Sequence, residues 1–274
     1  MTVSRAPGSS GSTNVRGGLP TLLVSVFTAI ALFALAGYQV TSETAGSRLL
    51  GRLAASLVEL DRWVPAHRED IELLARDKQQ GFVSLNDLPV EVELPAFVAV
   101  DTDDATLSDA ITRIMGDRLY NEGTAAFRDA QGESRSLSAA EPVRWATGLL
   151  NKGMHGFWTA VLVLSLLVLL GLCASALMGG HVPLVALGAG AALSAVCSAA
   201  AWIAAQVVSG VFESAVDKEI MLIVRDGAFI GLRDSLAICA VVGALIFLLT
   251  LSKRDEASES WPDAPPSDQA PFSM

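Results

Sequence analysis

The chain has 274 residues, 51% of them hydrophobic and 18% charged, with a mean hydropathy of +0.46, a composition that excludes an ordinary soluble globular protein. Lys and Arg number 19 against 29 Asp and Glu, and a net charge of −10 excludes a nucleic-acid binder, because phosphate contacts need a basic surface. Four Lys beside 15 Arg, with abundant Ala, Gly and Val, is the bias of a GC-rich prokaryotic genome.

A bilayer core of about 30 Å is crossed by about 20 helical residues, since lipid offers backbone polar groups no partners. Four runs approach that length: 19–38, 157–178, 182–209 and 236–251. The fourth can lengthen backwards through Phe229 if Arg233 and Asp234 lie in the headgroup layer. Arg5 and Arg16 precede the first run, and Lys253 and Arg254 follow the fourth. Positive flanks stay cytoplasmic, so four crossings put both termini in the cytoplasm. The expected fold is an integral membrane, mainly α protein of the plasma membrane. Its four transmembrane helices carry a mostly helical extracytoplasmic domain, residues 39–156, between the first and second. That domain has 12 Lys and Arg against 19 Asp and Glu, a balance of −7.

The remaining segments follow from this topology. Gly179, Gly180 and His181 make a tight cytoplasmic turn, and 210–235 forms a second extracytoplasmic segment. Residues 1–18 are Gly/Ser-rich and 252–274 rich in Pro, Ser and acids, so both are expected to be disordered cytoplasmic tails. Ala34-Leu35-Ala36, after an apolar stretch with basic residues before it, also has the form of a signal-peptide end. Cleavage there would leave three spans; the apolar length favours an uncleaved anchor.

Within 39–156, Leu50, Leu53, Leu57, Leu60, Val64, Ile71 and Leu74 recur at spacings of 3 and 4, broken once at His67. This heptad stripe, 50–74, packs either on its own domain or as a homodimeric coiled coil. Pro65 predicts a kink or restart between Trp63 and Ala66, and Gly81 is a plausible stop. Residues 81–100 change period. Val90, Val92 and Leu94 alternate with Glu91 and Glu93 as in a half-buried strand, pairing with Phe82 to Leu85 across Asn86-Asp87. Helical period returns at Leu107, Ile111, Ile114, Met115 and Leu119, after the capping candidates Asp103, Asp104 and Thr106. Gly123 ends that helix, a polar stretch follows from Gln131 to Ser138, and an amphipathic piece from Val143 to Leu150 leads into the second span.

The segment 210–235 is too apolar for a plain loop. Phe212, Val216, Ile220, Ile223, Gly227 and Ile230 share one helical face. It lies either in the membrane interface or against the outer domain as an upward extension of the third span. Its acidic polar face favours the second arrangement. The third span carries a small-residue face, Gly188, Ala191, Ala192, Ala195 and Ala199, suited to close helix association.

Reaction chemistry leaves few traces. Cys173, Cys197 and Cys239 lie one in each of the last three spans, where they read as small buried hydrophobes. His67, His155 and His181 are isolated, and no zinc, P-loop, nucleophile-elbow or dinucleotide spacing occurs. Asp101, Asp103 and Asp104 resemble the start of a cation loop, but the sixth and twelfth positions are Thr106 and Thr112, which excludes an EF-hand. No ionisable residue lies in the membrane cores, so an ion relay has no carrier. Neither cofactor nor metal nor catalytic residue is expected. The function class is a non-catalytic interaction, assembly or sensing component. Its partners are the bilayer and a protein, or a second copy, met through the third span's small-residue face or the stripe 50–74. An envelope- or lipid-acting enzyme, with Asp117, Tyr120 and Glu122 as its polar constellation, is the first alternative, and a transporter or channel subunit the second.

Overall fold

The computed structural model describes residues 15–77, 81–85, 87–127, 137–178, 183–212 and 214–259. Helix α1 (Val15–Val40) leads through a tight turn into α2 (Glu43–Leu57), α3 (Leu60–Ala66) and α4 (Arg68–Asp77). A hairpin of β1 (Phe82–Leu85) and β2 (Val92–Pro95) runs into α5 (Ala96–Asp101) and the long α6 (Asp104–Glu122). A 3-10 turn, Gly123–Ala126, precedes α7 (Leu137–Leu150); α8 (Lys152–Met178), α9 (Leu184–Ser209) and α10 (Ala215–Glu259) complete the chain. The protein is mostly helical, and among the described residues α1, α8, α9 and α10 are long and apolar enough to cross a membrane.

Elements α2 to α7 form an inserted domain around one core. The stripe supplies much of it: Leu50, Leu53, Leu60, Val64 and Ile71 are buried, facing Leu107, Ile111, Met115 and Leu119 of α6, while Leu74 is exposed. The stripe is therefore used by the chain's own core. A restart does follow Pro65, at His67, but the sharper break lies earlier, at Val58–Glu59. There Glu59 adopts a left-handed backbone (φ 48°) that turns the chain while Leu60 and Val64 keep facing the core. The hairpin pairs Val83 with Leu94 and Leu85 with Val92, all four buried, with Phe82 turned outward. Residues 96–100, the end of the stretch that changes period, are helical in α5. Pro95 ends the strand in an extended conformation, and Ala96 and Ala99 then pack inward one turn apart. On α7, Val143, Ala146, Thr147 and Leu150 make the buried face.

Glycines bring α2 and α6 into backbone contact. A Cβ on Gly116 would collide with the Ser47 carbonyl, one on Gly51 with the Thr112 carbonyl, and one on Gly46 would lie 2.9 Å from the Tyr120 ring. This antiparallel crossing fixes the height of the domain. The start of α2 and the end of α6 lie beside the end of α1, where the Tyr120 hydroxyl donates to the Thr41 carbonyl (3.1 Å).

In the bundle, α1 is central. It packs on α8 through Phe33 and Trp158, whose rings meet edge to face, and on α9 where a Cβ at Gly190 would strike the Ser25 carbonyl. Ser25 donates to the Ala186 carbonyl (2.8 Å). On the α10 side, Gly188 faces Val242, Ser235 donates to Ser194 (2.9 Å), and Gly231 faces Ser198. The small-residue face of α9 thus serves α1 and α10 of the same chain, although Ala192 points away from both packed seams and is exposed.

Three boundaries differ from the sequence reading. Segment 210–235 does not extend the third span: α9 stops at Ser209, and from Ala215 the chain is one 45-residue helix continuous with the fourth span. Gly210 caps α9 and lets the chain reverse, so the apolar face of 215–230 continues α10 instead. Val216 and Ile223 join the core of the inserted domain, with Ile220 packed against it. At its other end α10 runs to Glu259, so residues 252–259 of the segment expected to be disordered are helical. Likewise α1 begins at Val15, inside the segment 1–18. The turn at Gly179 to His181, Asn86, Gln131 to Ser136 and the tails 1–14 and 260–274 lie outside the described residues.

Candidate functional site

The turn at Glu59 opens a cleft. Because α3 bends away from the axis of α2, a space of about 540 Å³ is left between this corner, α6 and the start of α10. Arg52 of α2 crosses to Glu219 of α10 at 2.7 Å; the Glu219 side chain is 14% exposed, the Arg52 side chain 43%. Arg62 donates to Glu59 (2.7 Å), which holds the rim of the corner. Ser108 donates weakly to Asp61 (3.5 Å), and Asp109 lies beside it on α6. The lining contains hydroxyls, carboxylates and two guanidinium groups, with no imidazole or thiol. Such a set can meet a polar ligand by charge and hydrogen bonds.

The residues singled out in the sequence are scattered. Asp103 caps α6, accepting from the Thr106 N–H at 2.7 Å; the Thr106 side-chain and backbone hydrogen bonds hold its carboxyl below the ordinary value of 3.8. Asp104 faces Arg68 at 3.6 Å. Among the described residues, no three His, Cys, Asp or Glu converge as metal ligands would. His67 stacks on Trp63 with ring centroids 4.4 Å apart, its Nδ1 2.9 Å from the Trp63 carbonyl. His181 lies outside the described residues. Cys173 and Cys239 are half-buried, whereas Cys197 is exposed on α9. Asp117, Tyr120 and Glu122 do not share a site: Tyr120 is in the core, Glu122 pairs with Arg118 at 3.0 Å, and Asp117 points outward. Sequence reasoning missed the cleft, whose charged residues lie on four elements far apart in the chain.

A second polar cluster marks the junction of domain and bundle. Gln39, at the end of α1, donates to Asp234 (2.7 Å) and accepts from Arg233 (3.2 Å). His155 lies against the Tyr38 ring at 4.6 Å, its Nδ1 3.3 Å from the Thr41 hydroxyl. Since that hydroxyl already donates to the Gly37 carbonyl (2.7 Å), the imidazole is the donor to it. Tyr120 completes the tie between α6 and this corner. Burial, and then the nearby Glu43 charge, raise its phenol above the usual 10.0. A raised pKa means that the unfolded chain ionises first. The stabilisation is full below pH 10.0 and is lost as pH climbs from there through the folded value. Tyr120→Phe should cost about 1 kcal/mol at neutral pH and flatten the alkaline fall of the melting temperature, which a pH series of thermal melts reads directly.

Compared with family models, curated proteins and solved structures, the chain matches none.

Proposed function

We propose that this is a plasma-membrane protein with both termini cytoplasmic and the inserted domain extracytoplasmic. It acts as a non-catalytic interaction, assembly or sensing component, in which the domain meets a partner or signal and the bundle anchors and couples it. One observation carries the reading. Helix α10 is unbroken from Val216 and Ile223, in the core of the domain, to Ser235 and Val242, packed in the bundle. Domain and bundle thus share one rigid element, and a rearrangement of either biases the other. The basic flanks support the orientation. The central place of α1 supports an uncleaved anchor, since its removal would uncover Gly190 and Ala186 of α9.

Topology and association can be tested together in intact cells. In a background without the native cysteines, Leu73→Cys, 69% exposed on the domain, should react with a membrane-impermeant maleimide, and Ser252→Cys only after permeabilisation. Crosslinking in intact membranes followed by gentle detergent extraction should recover the chain with a protein partner or a second copy. A clean monomer, or the reverse labelling pattern, would overturn the proposal.

A further inference from the structure

We propose that the outward face of α9 packs on the same face of a second copy of this chain, about a two-fold axis along the membrane normal; the level of the bilayer surface rests on the topology proposed above. The face is a regular seam. Leu193, Val196, Ala200, Ile203 and Val207 recur at spacings of 3 and 4, on the side of α9 opposite Ser194, Ser198 and the buried Ala205. All five are exposed, Ile203 at 55% and Val207 at 65%. Within hydrocarbon such a face needs no protein, because lipid covers it.

The upper part of the seam stands too high for lipid. Three contacts fix the antiparallel register of α9 against α10: Gly188 beside Val242, Ser194 bonded to Ser235, and Ser198 beside Gly231. A step along one helix is a step back along the other, which sets Ile203 level with Asp226 and Val207 level with Leu222. Ala205, 3% exposed, keeps the two helices packed at this height. Two sets of charges mark where hydrocarbon ends. Arg233, Asp234 and Gln39 bond to one another at the end of α1, and higher up Arg225 pairs with Asp226 at 3.0 Å, both partly exposed. On this register Arg233 is level with Val196, so Val207 stands roughly 16 Å above it at about 1.5 Å per residue. A headgroup layer of about 5 to 8 Å does not reach that far. Ile203, Val207 and Val211, the last 76% exposed, therefore form an apolar strip beside charged groups, where only protein can cover it.

Orientation and charge identify the occupant. Helix α9 carries no ionisable residue, so its seam has no charge with which to select a foreign helix. The bilayer holds a second copy upright, and a two-fold axis along the normal sets the two α9 helices parallel, each seam residue beside its own counterpart. Ala200 then meets Ala200 in the middle of the seam and lets the backbones approach, while Ile203 and Val207 close over the same pair above it. Such a contact is self-complementary and leaves no strip uncovered.

The test is disulfide crosslinking with copper-phenanthroline in intact membranes, using the full chain without its native cysteines. Ile203→Cys and Val207→Cys should give a homodimer in at least tenfold higher yield than Gln206→Cys, exposed about a quarter turn away, or Leu167→Cys, 61% exposed on α8. Val207→Arg should convert the dimer to a monomer in sedimentation of the detergent-solubilised protein, and Leu73→Arg, on the domain, should leave it dimeric. Equal yields at all four sites, or a Val207→Arg variant that stays dimeric, would overturn the α9 pair. An adduct of the seam with a chain of different mass would overturn the second copy as occupant and leave the interaction role standing. Maleimide labelling of Leu73→Cys in the same cells separates the topology. Reversed labelling with the seam pattern intact keeps the pair and overturns the orientation alone; labelling as expected with no product at 203 or 207 overturns the pair alone.

Discussion

Gly116→Leu is expected to unfold the inserted domain while the four long apolar helices stay folded. At this crossing a Cβ would meet the Ser47 carbonyl and lie 3.0 Å from the Gly51 nitrogen, so the obstacle is backbone and cannot rotate away. Overfilling a core of side chains costs about 1–3 kcal/mol, and backbone obstruction costs more. Relief requires α2 and α6 to separate, which opens the layer where Leu50 and Leu53 meet Ile111 and Met115. Against a domain stability of about 5–15 kcal/mol, a loss of about 5 kcal/mol removes most of the folded population. Gly148→Leu is the matched control, because a Cβ there meets nothing within 4 Å; it should change stability by no more than about 0.5 kcal/mol. Limited proteolysis of the full-length protein in detergent would show the first variant cut within 43–150 and the second resistant. A resistant Gly116→Leu would mean that the two helices do not cross at their glycines.

Phe229→Pro should separate the two ends of α10 without removing a packed side chain. Phe229 is 53% exposed and stands between the domain-anchored turns, Val216 to Ile223, and the bundle-anchored turns from Ser235. Proline deletes the bond from its own nitrogen to the Arg225 carbonyl and presses its ring against that carbonyl, at a cost of about 3 kcal/mol. Amides of 224–234 should then exchange about 100-fold faster, read by mass spectrometry on the full chain. Phe229→Ala should leave them near the parent rate. If the proposed coupling holds, Phe229→Pro also abolishes any protection that a domain ligand gives to residues beyond 234. Undiminished protection there would assign coupling to α1 and α8 instead.

Much of this architecture is legible in the sequence because its signals are local. Run length and hydropathy locate the four apolar helices, a 3/4 spacing locates the buried face of α2 to α4, and alternation at Val92 and Leu94 locates the hairpin. Asp103 announces the start of α6 three residues before the amide it caps. The continuity of α10 is not legible in the same way. Arg225, Asp226, Arg233 and Asp234 lower the local hydropathy and divide the stretch into an amphipathic segment and a span from 236, but their charges pair along the helix surface and with Gln39 and leave one continuous helix. The left-handed Glu59 has no sequence mark either, since glycine or asparagine would be the usual residue at such a φ. The cleft follows from that turn. It joins Arg52, Asp61, Asp109 and Glu219, whose proximity exists only once α2 and α6 have crossed.

The length of α10 has a mechanical consequence. At 1.5 Å per residue its 45 residues measure about 67 Å, more than twice the hydrocarbon thickness of about 30 Å. Pivoted where Ser235 meets Ser194, its leading turns form a lever arm about 30 Å long. Bilayers of different thickness are matched by helix tilt, and a tilt of about 10° sweeps Val216 through about 5 Å. That is wider than a methyl group and far beyond the slack of a packed interior. On the membrane topology proposed above, a thinner or thicker bilayer leaves the domain core two choices: to travel with the lever, or to release it.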